Sequence, residues 1–198
     1  MLDIQSESHR KSDMVDDTFD DRKVTQMACL FIKILGGSID YLKLMKLLYI
    51  ADKEALSSLG NSISGDAFYS MPLGPVLSKT LDMSGKYYEK TNKAYWRKHI
   101  TAQSCNHELT QKEEPGNGDL SEAETDIIKK VIAELGMKTG KQLVDITHAF
   151  SEYNEPHGSS IPIEIIDMLL DKKLSKESAQ AIVDDINSYN EYRKLFRE

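Results

Sequence analysis

The sequence lacks the features that mark a membrane protein, a disulfide-stabilised protein or a zinc protein. No apolar run approaches the ~20 residues that span a bilayer, and the first residues, MLDIQSESHRKSDMVDD, contain no apolar stretch typical of a signal peptide. The two cysteines, Cys29 and Cys105, are far apart and form no CxxC pair, which favours free thiols in a reducing compartment. We therefore expect a cytoplasmic protein with neither a metal ion nor another cofactor.

Motifs of the common enzyme families are also missing. The sequence contains no GxGxxG, GxxxxGK[ST], GxSxG or HExxH motif. His148, in DITHAF, borders an apolar helical face, where a hydrogen-bonded structural role is commoner than that of a general base, because a base needs a matched partner and a substrate within reach. We expect no enzyme and assign no catalytic residue; a small hydrolase that uses Asp52 and His148 is kept as an alternative.

The chain has fewer positively charged than negatively charged residues. The 198 residues include 25 Lys and Arg against 32 Asp and Glu, so the formal net charge is −7. Nucleic-acid binders gain much of their affinity from Lys and Arg on phosphates, so this balance argues against direct nucleic-acid binding. The polar tail at 1–20 is also too short for an added helix-turn-helix module. An acidic protein suits a basic protein partner; a homo-oligomer stays open.

Helical patterns dominate what is present. Apolar residues recur at the spacing of one helical face, and Ser, Thr and Asp stand where N-caps are expected. Helices are predicted at 21–35, 41–59, 75–83 and 121–135, from Thr139 to before Pro156, at 163–170 and from Ser175 towards Phe196. The predicted fold class is mainly α: a flexible polar tail at 1–20, then one compact helical domain at 21–198 with a mobile loop at 111–119.

The strongest pattern is YLKLMKLLYIADKEALSSL, residues 41–59. More than half of its circumference is apolar, which predicts a central helix surrounded by the rest of the domain and ended by Gly60. Asp52 falls inside this apolar arc. Because a buried carboxylate without a partner costs several kcal/mol, we expect Asp52 to bind a Lys or Tyr of a neighbouring helix, or backbone N–H groups of the irregular segment 61–74.

Two segments interrupt the helical pattern. GNSISGDAFYSMPLGPVL, from Gly60 onward, has too many Gly, Ser and Pro for regular structure until Gly74 and Pro75, which fit the start of a short helix. AYWRKHI, residues 94–100, alternates in polarity and predicts a strand that pairs with 107–110 as a short β-ribbon.

Four bulky residues in the first of these segments stand out: Phe68, Tyr69, Met71 and Pro72. They could form a lid over the core. They could equally form an exposed recognition patch, because aromatic residues and methionine are enriched in the centres of protein interfaces.

Three motifs in this order resemble the Panacea domain, also called the SocA-like or phage-associated GepA-like domain. They are KLMKLLY at 43–49, Gly74-Pro75-Val76, and Ile146-Thr147-His148. The resemblance covers about residues 22–170. Leu73 stands where an aromatic residue commonly precedes Gly-Pro-Val, and EYNEPHG follows where a tryptophan is often seen.

The resemblance implies an antitoxin that binds and neutralises a protein toxin encoded beside it, with toxins of highly variable type in the family. A phage or prophage adaptor or anti-defence protein that binds a host protein is the alternative. We expect the partner to contact the 61–76 segment and the exposed edge of the 41–59 helix. The predicted partner-binding residues are Lys46, Tyr49, Phe68, Tyr69, Met71, Gly74, Pro75 and Val76, and the predicted structural polar residues are Asp52, Asp66, Thr147 and His148.

Overall fold

The computed structural model describes residues 18–84, 94–102 and 107–195, which are mainly α-helical with short antiparallel strands. The helices of these ranges are α1 (Asp21–Ile34), α2 (Tyr41–Leu59), α3 (Ser78–Ser84), α4 (Ala94–His99), α5 (Glu122–Leu135), α6 (Gly140–His148), α7 (Ile165–Asp171) and α8 (Lys176–Leu195). The strands are β1 (Ser38–Asp40), β2 (Phe68–Ser70), β3 (Val76–Leu77), β4 (Ile100–Ala102), β5 (Glu108–Gln111) and β6 (Ile161–Pro162). The mainly α prediction is confirmed; Cys105 and tail residues 1–17 lie outside the described residues.

The predicted helix ends are confirmed where they depend on capping residues. Ser121 and Glu124 form a reciprocal capping box at the start of α5, and Thr139 forms another with Gln142 at the start of α6. The Ser175 hydroxyl accepts a hydrogen bond from the backbone N–H of Ser178 at the start of α8 (3.2 Å). These caps satisfy backbone N–H groups that the first helical turn leaves without partners.

Helix α2 buries 12 of its 19 residues and packs against α1, α5, α6 and α7. Asp40 begins the helix by accepting a hydrogen bond from the Lys43 backbone N–H (2.8 Å), and Gly60, at φ +74°, ends it in the left-handed conformation. Because α2 is covered on several sides, polar residues at different positions along it are in contact with different elements.

The strands form two three-stranded antiparallel sheets, in the orders β1-β5-β4 and β3-β2-β6. The predicted ribbon is right for Ile100 onward, which pairs with β5, and wrong for residues 94–99, which form α4. Trp96 and Ile100 are four residues apart, so they share one face of a helix as well as one face of a strand. The third strand, β1, pairs Ile39 with Leu109 and was not predicted.

The segment predicted as irregular chain followed by a helix at Pro75 is a β-hairpin. Strand β2 pairs with β3, Phe68 opposite Leu77 and Tyr69 opposite Val76, and α3 begins only at Ser78. Gly74 has φ +90°, and its backbone N–H donates to the Met71 carbonyl (2.8 Å), which closes the turn. This left-handed conformation is incompatible with a helix N-cap, so Pro75 continues the hairpin.

The chain at 112–121 connects β5 to α5, and Gln26 donates to the Asp119 carboxylate there (2.6 Å). Its predicted mobility stays a prediction. Among the helices of the described ranges, none combines the length and the apolar composition needed to cross a membrane.

Gly140 offers a test of how closely α6 approaches α2. A Cβ at Gly140 would lie 2.6 Å from Asp40 Oδ1, whereas a Cβ at Gly118 would have no atom within 4 Å. We expect Gly140→Ala to lower the free energy of unfolding by ~1–3 kcal/mol, since a crowded site must shift to accept the methyl group. Gly118→Ala, the matched control, should change it by less than ~1 kcal/mol. Equal effects in urea denaturation would contradict the close approach.

Candidate functional site

The three motifs of the sequence meet at Gly74. A Cβ on this residue would lie 2.8 Å from Thr147 Oγ1, 3.0 Å from His148 Cδ2 and 3.1 Å from Lys46 Nζ. Glycine is therefore required here by the surrounding atoms as well as by its positive φ. We call Lys46, Gly74, Pro75, Thr147 and His148 the hairpin anchor, because they attach the β2–β3 hairpin to α2 and α6.

Lys46 is fully buried, and its Nζ donates a hydrogen bond to the Pro75 carbonyl oxygen (2.7 Å). No carboxylate of the described residues forms an ion pair with it. Burial lowers the pKa of Lys46 to about 7, because the charged amine loses its hydration. A neutral amine can still donate to a carbonyl, so the contact with the hairpin does not require the charge.

The other side of the hairpin turn is in contact with Tyr153. The Tyr153 ring stacks on His148 with centroids 4.3 Å apart and 11° between the ring planes. Its hydroxyl lies 3.2 Å from the Met71 carbonyl oxygen and 2.6 Å from a Glu155 carboxylate oxygen, and it can donate to one of them at a time. His148 Nε2 is buried without a hydrogen-bond partner among the described residues. His148 thus acts here mainly as a packing surface.

Asp52 binds the chain that leads into the hairpin. It is fully buried, and its Oδ1 accepts hydrogen bonds from the backbone N–H groups of Ile63 (2.9 Å) and Ser64 (3.1 Å). Its Oδ2 accepts a hydrogen bond from the Ser64 hydroxyl. Burial raises the pKa of Asp52 to about 7, although these hydrogen bonds favour the carboxylate. The backbone N–H groups of segment 61–74 are thus among its partners.

Asp66, just before the hairpin, binds the chain that follows the hairpin. Its carboxylate accepts hydrogen bonds from the backbone N–H groups of Lys79 (2.9 Å) and Thr80 (2.8 Å) and from the Thr80 hydroxyl (2.8 Å). Burial raises the pKa of Asp66, because the charged form loses hydration. The two carboxylates therefore fix both ends of the hairpin segment from inside the fold.

A buried charged cluster lies beside the anchor. The Glu152 side chain is fully buried, and its Oε1 accepts hydrogen bonds from the Tyr49 hydroxyl (2.9 Å) and from Lys53 Nζ (2.6 Å). Lys53 Nζ also pairs with Asp171 (2.6 Å), while Glu152 Oε2 has no partner among the described residues. Sequence reasoning missed this cluster, because Lys53 sits on the polar arc of 41–59 and its partners are about a hundred residues away.

The structure buries most of the residues predicted to bind a partner. Lys46 and Tyr49 have no exposed surface, Phe68 is 4% exposed, and Gly74, Pro75 and Val76 are also buried. The expectation of an exposed α2 edge is therefore corrected: Lys46 bonds to the hairpin, and Tyr49 packs edge-on against Phe68 with ring centroids 5.9 Å apart. Thr147 is fully buried and donates to the Val144 carbonyl (3.1 Å).

The residues of this region that reach solvent form the hairpin tip: Tyr69, Met71, Pro72 and Leu73. Leu73 is 59% exposed, Pro72 is exposed, and Tyr69 and Met71 are half-buried. Side chains alternate along a strand, so Phe68 and Ser70 point inward while Tyr69 points outward. Phe68 is therefore a lid residue, whereas Tyr69, Met71 and Pro72 are accessible to solvent; that they form a recognition patch stays a prediction.

Fold and site together define a mainly α protein in which buried polar side chains hold a β-hairpin with an exposed apolar tip. A family model described as antitoxin SocA-like, Panacea domain, matches residues 44–154, which include Lys46, the hairpin and His148. The match spans more than half of the chain, which therefore belongs to the SocA-like, Panacea domain antitoxin family. Neither the curated proteins nor the solved structures contain a match to the chain.

The burial of Lys46 predicts a defined pH dependence of stability. Its pKa is about 7 in the folded protein against an ordinary value of 10.5, so between these pH values the unfolded chain binds a proton that the folded chain has released. The free energy of unfolding of the wild type should therefore rise relative to that of Lys46→Met as the pH increases from 7 to 10, by ~1 kcal/mol or more.

Urea denaturation of both proteins across this pH range measures the effect. Lys129→Met provides the control, because Lys129 is an exposed helical lysine. Its difference from the wild type should stay constant with pH. A constant difference for Lys46→Met as well would show that Lys46 keeps an ordinary pKa in the fold.

Proposed function

We propose that this protein is an antitoxin that neutralises a cognate protein toxin by direct binding, and that the hairpin tip contacts the toxin. The observation that carries the proposal is the family match over residues 44–154, within which the exposed apolar residues of the hairpin lie. In this proposal residues 21–198 act as one compact domain built around α2, and the partner is encoded next to the antitoxin.

The hairpin tip has the physical properties of a preformed docking element. Its backbone is held by Lys46 through the Pro75 carbonyl and by Asp52 and Asp66 on either side. A segment that is already ordered loses little conformational entropy on binding, so more of the contact energy remains as affinity. The rigid tip thus favours recognition by shape over folding on binding.

Neighbouring residues enlarge the apolar surface around the tip. Tyr69 pairs with Pro162 of β6, which is exposed, and Ser70 pairs with Ile161, which is half-buried. Because paired residues of antiparallel strands point to the same side of the sheet, Tyr69 and Pro162 share one face. We propose that this face contacts an apolar depression on the toxin, while the net charge of −7 favours encounter with a basic surface.

The arrangement of Asp52 and His148 favours a binding function over hydrolysis. Asp52 uses both carboxylate oxygens to bind Ile63 and Ser64, and it has no exposed surface for a substrate. Among the described residues, no hydrogen bond joins Asp52 to His148. A general acid–base pair needs such reach to each other or to a shared substrate.

Co-expression with the adjacent gene tests the proposed function. We expect the adjacent gene alone to arrest growth, co-expression of this protein to restore it, and the two purified proteins to form a stable complex. A neighbour that is not toxic would contradict the antitoxin function; a stable complex with a host protein would then favour the adaptor alternative.

Two single substitutions separate the tip from the lid. Leu73→Asp changes an exposed residue, so we expect it to abolish rescue while the thermal midpoint stays close to that of the wild type. Phe68→Ala removes a buried ring and should lower the free energy of unfolding by ~3 kcal/mol. Leu195→Asp, at a residue that is 77% exposed on α8, is the matched control for a surface Leu-to-Asp change and should leave rescue intact. Full rescue by Leu73→Asp would exclude the tip from the interface.

A further inference from the structure

A second surface, distinct from the hairpin tip, lies where α1, α2 and α6 approach one another. It is an open groove of about 520 Å³ between β1 and the loop that joins α5 to α6. Its apolar lining comes from Leu35, Ile39, Leu42 and Met137. We call it the β1 groove.

The α5–α6 loop forms a fixed wall of this groove. A Cβ on Gly136 would lie 2.9 Å from Leu35 Cδ2, and a Cβ on Gly140 would lie 2.6 Å from Asp40 Oδ1, so a side chain at either position would have to displace Leu35 or the Asp40 cap of α2. Lys43 Nζ also donates to the Gly136 carbonyl oxygen (2.6 Å). Between these contacts Met137 is 95% exposed, so an ordered loop holds a large apolar side chain in solvent.

The opposite wall is a sheet edge that can accept another strand. Strand β1 is the outer strand of its sheet and pairs with β5 on one side. The Tyr41 backbone N–H donates to the His107 carbonyl across this pair (2.8 Å). Hydrogen-bonded pairs alternate along antiparallel strands. The backbone N–H of Ile39 therefore also points to β5, whereas the backbone N–H groups of Ser38 and Asp40 point away from it. Unpaired edges of this kind are sites of strand addition by peptides.

The charge of the β1 groove is opposite in sign to that of the whole chain. Three lysines, Lys43, Lys138 and Lys141, line it together with two carboxylates, against a net charge of −7 overall. Of the carboxylates, Asp40 is engaged in capping α2. No described residue forms a hydrogen bond or an ion pair with the side chains of Lys138 and Lys141.

We propose that the β1 groove binds an extended acidic segment of the toxin, which adds to the free edge of β1. An apolar side chain of that segment packs against Leu35, Leu42 and Met137, and its carboxylates pair with Lys138 and Lys141. This inference rests on the proposed antitoxin function and adds a second contact to the hairpin tip. Because the groove is positive and the rest of the antitoxin is negative, only one orientation of the toxin satisfies both surfaces.

Charge reversal with a matched control tests the proposal. The double variant K138E/K141E reverses both unpaired lysines, and K129E/K176E reverses two exposed lysines outside the groove with the same change in net charge. The probe is the purified product of the adjacent gene, and its dissociation constant is measured by calorimetry at two salt concentrations. We expect K138E/K141E to weaken binding at least tenfold at low salt, and K129E/K176E to weaken it less than threefold.

Hydrogen exchange of the wild-type complex provides the second readout. Strand addition should slow exchange of the Ser38 and Asp40 amides when the toxin binds, whereas a contact through lysine side chains alone would not. Unchanged exchange at these amides would overturn the strand-addition geometry.

The outcomes distinguish this inference from the function on which it rests. Absence of any complex between the wild type and the probe overturns both. A wild-type complex with equal affinities for the two double variants overturns the β1 groove alone. If K138E/K141E changes the sedimentation of the antitoxin by itself, the groove binds a second copy of the chain, and the proposal of a toxin segment is also overturned.

Discussion

The hydrogen bond from the buried Lys46 amine to the Pro75 carbonyl is the contact on which the candidate site depends. An amine in the interior of a protein is costly, and burial lowers the pKa of Lys46 to about 7, so this residue does not serve stability as a charge. Lys46 instead provides a buried hydrogen-bond donor next to Gly74. Because Gly74 has no Cβ, the Lys46 amine, the Thr147 hydroxyl and the His148 ring can all approach it closely. Removal of the donor would leave a buried carbonyl without a partner at the base of the hairpin turn, where any shift of the backbone is passed on to the tip.

The helices could be predicted from the sequence because the information that specifies them is local. Ser121, Thr139 and Ser175 cap helices whose apolar faces repeat within the same segments, so neither cap nor face depends on distant residues. Of the strand pairings, the sequence predicted part of the one between β4 and β5, whose strands are close in the chain. The others could not be predicted, because their strands have two to four residues and most of their partners are remote: Ile161 and Pro162 pair with a strand about ninety residues earlier. A strand of two residues has no alternation to detect, and only the assembled fold supplies its neighbour.

The candidate site shows the same division between local and distant information. The sequence indicates that Asp52 needs buried donors, and Ile63 and Ser64 supply them from a nearby segment. It could not indicate that Lys46 is buried or that Lys53 meets Glu152, since both lysines lie on the polar arc of an amphipathic pattern. Lys46 is covered by the hairpin and α6, and Lys53 by α7 and the chain between α6 and α7. Periodicity within one helix carries no information on what packs against it.

The polar contacts that hold the turn of the hairpin are made with its backbone. Pro75 and Met71 accept through their carbonyls, and on either side of the hairpin the anchoring carboxylates accept from backbone N–H groups. Backbone atoms are the same whatever side chains the tip carries, so residues such as Leu73 can change without loss of the anchor. The resemblance implies toxins of highly variable type. In the proposed function, a surface of this construction accommodates that variety, because the fixed interior sets the position of the turn while the exposed side chains set its specificity. In the proposed function, the leucine that stands where an aromatic residue commonly precedes Gly-Pro-Val is a change in the proposed recognition surface, and it leaves the backbone hydrogen bonds of the anchor in place.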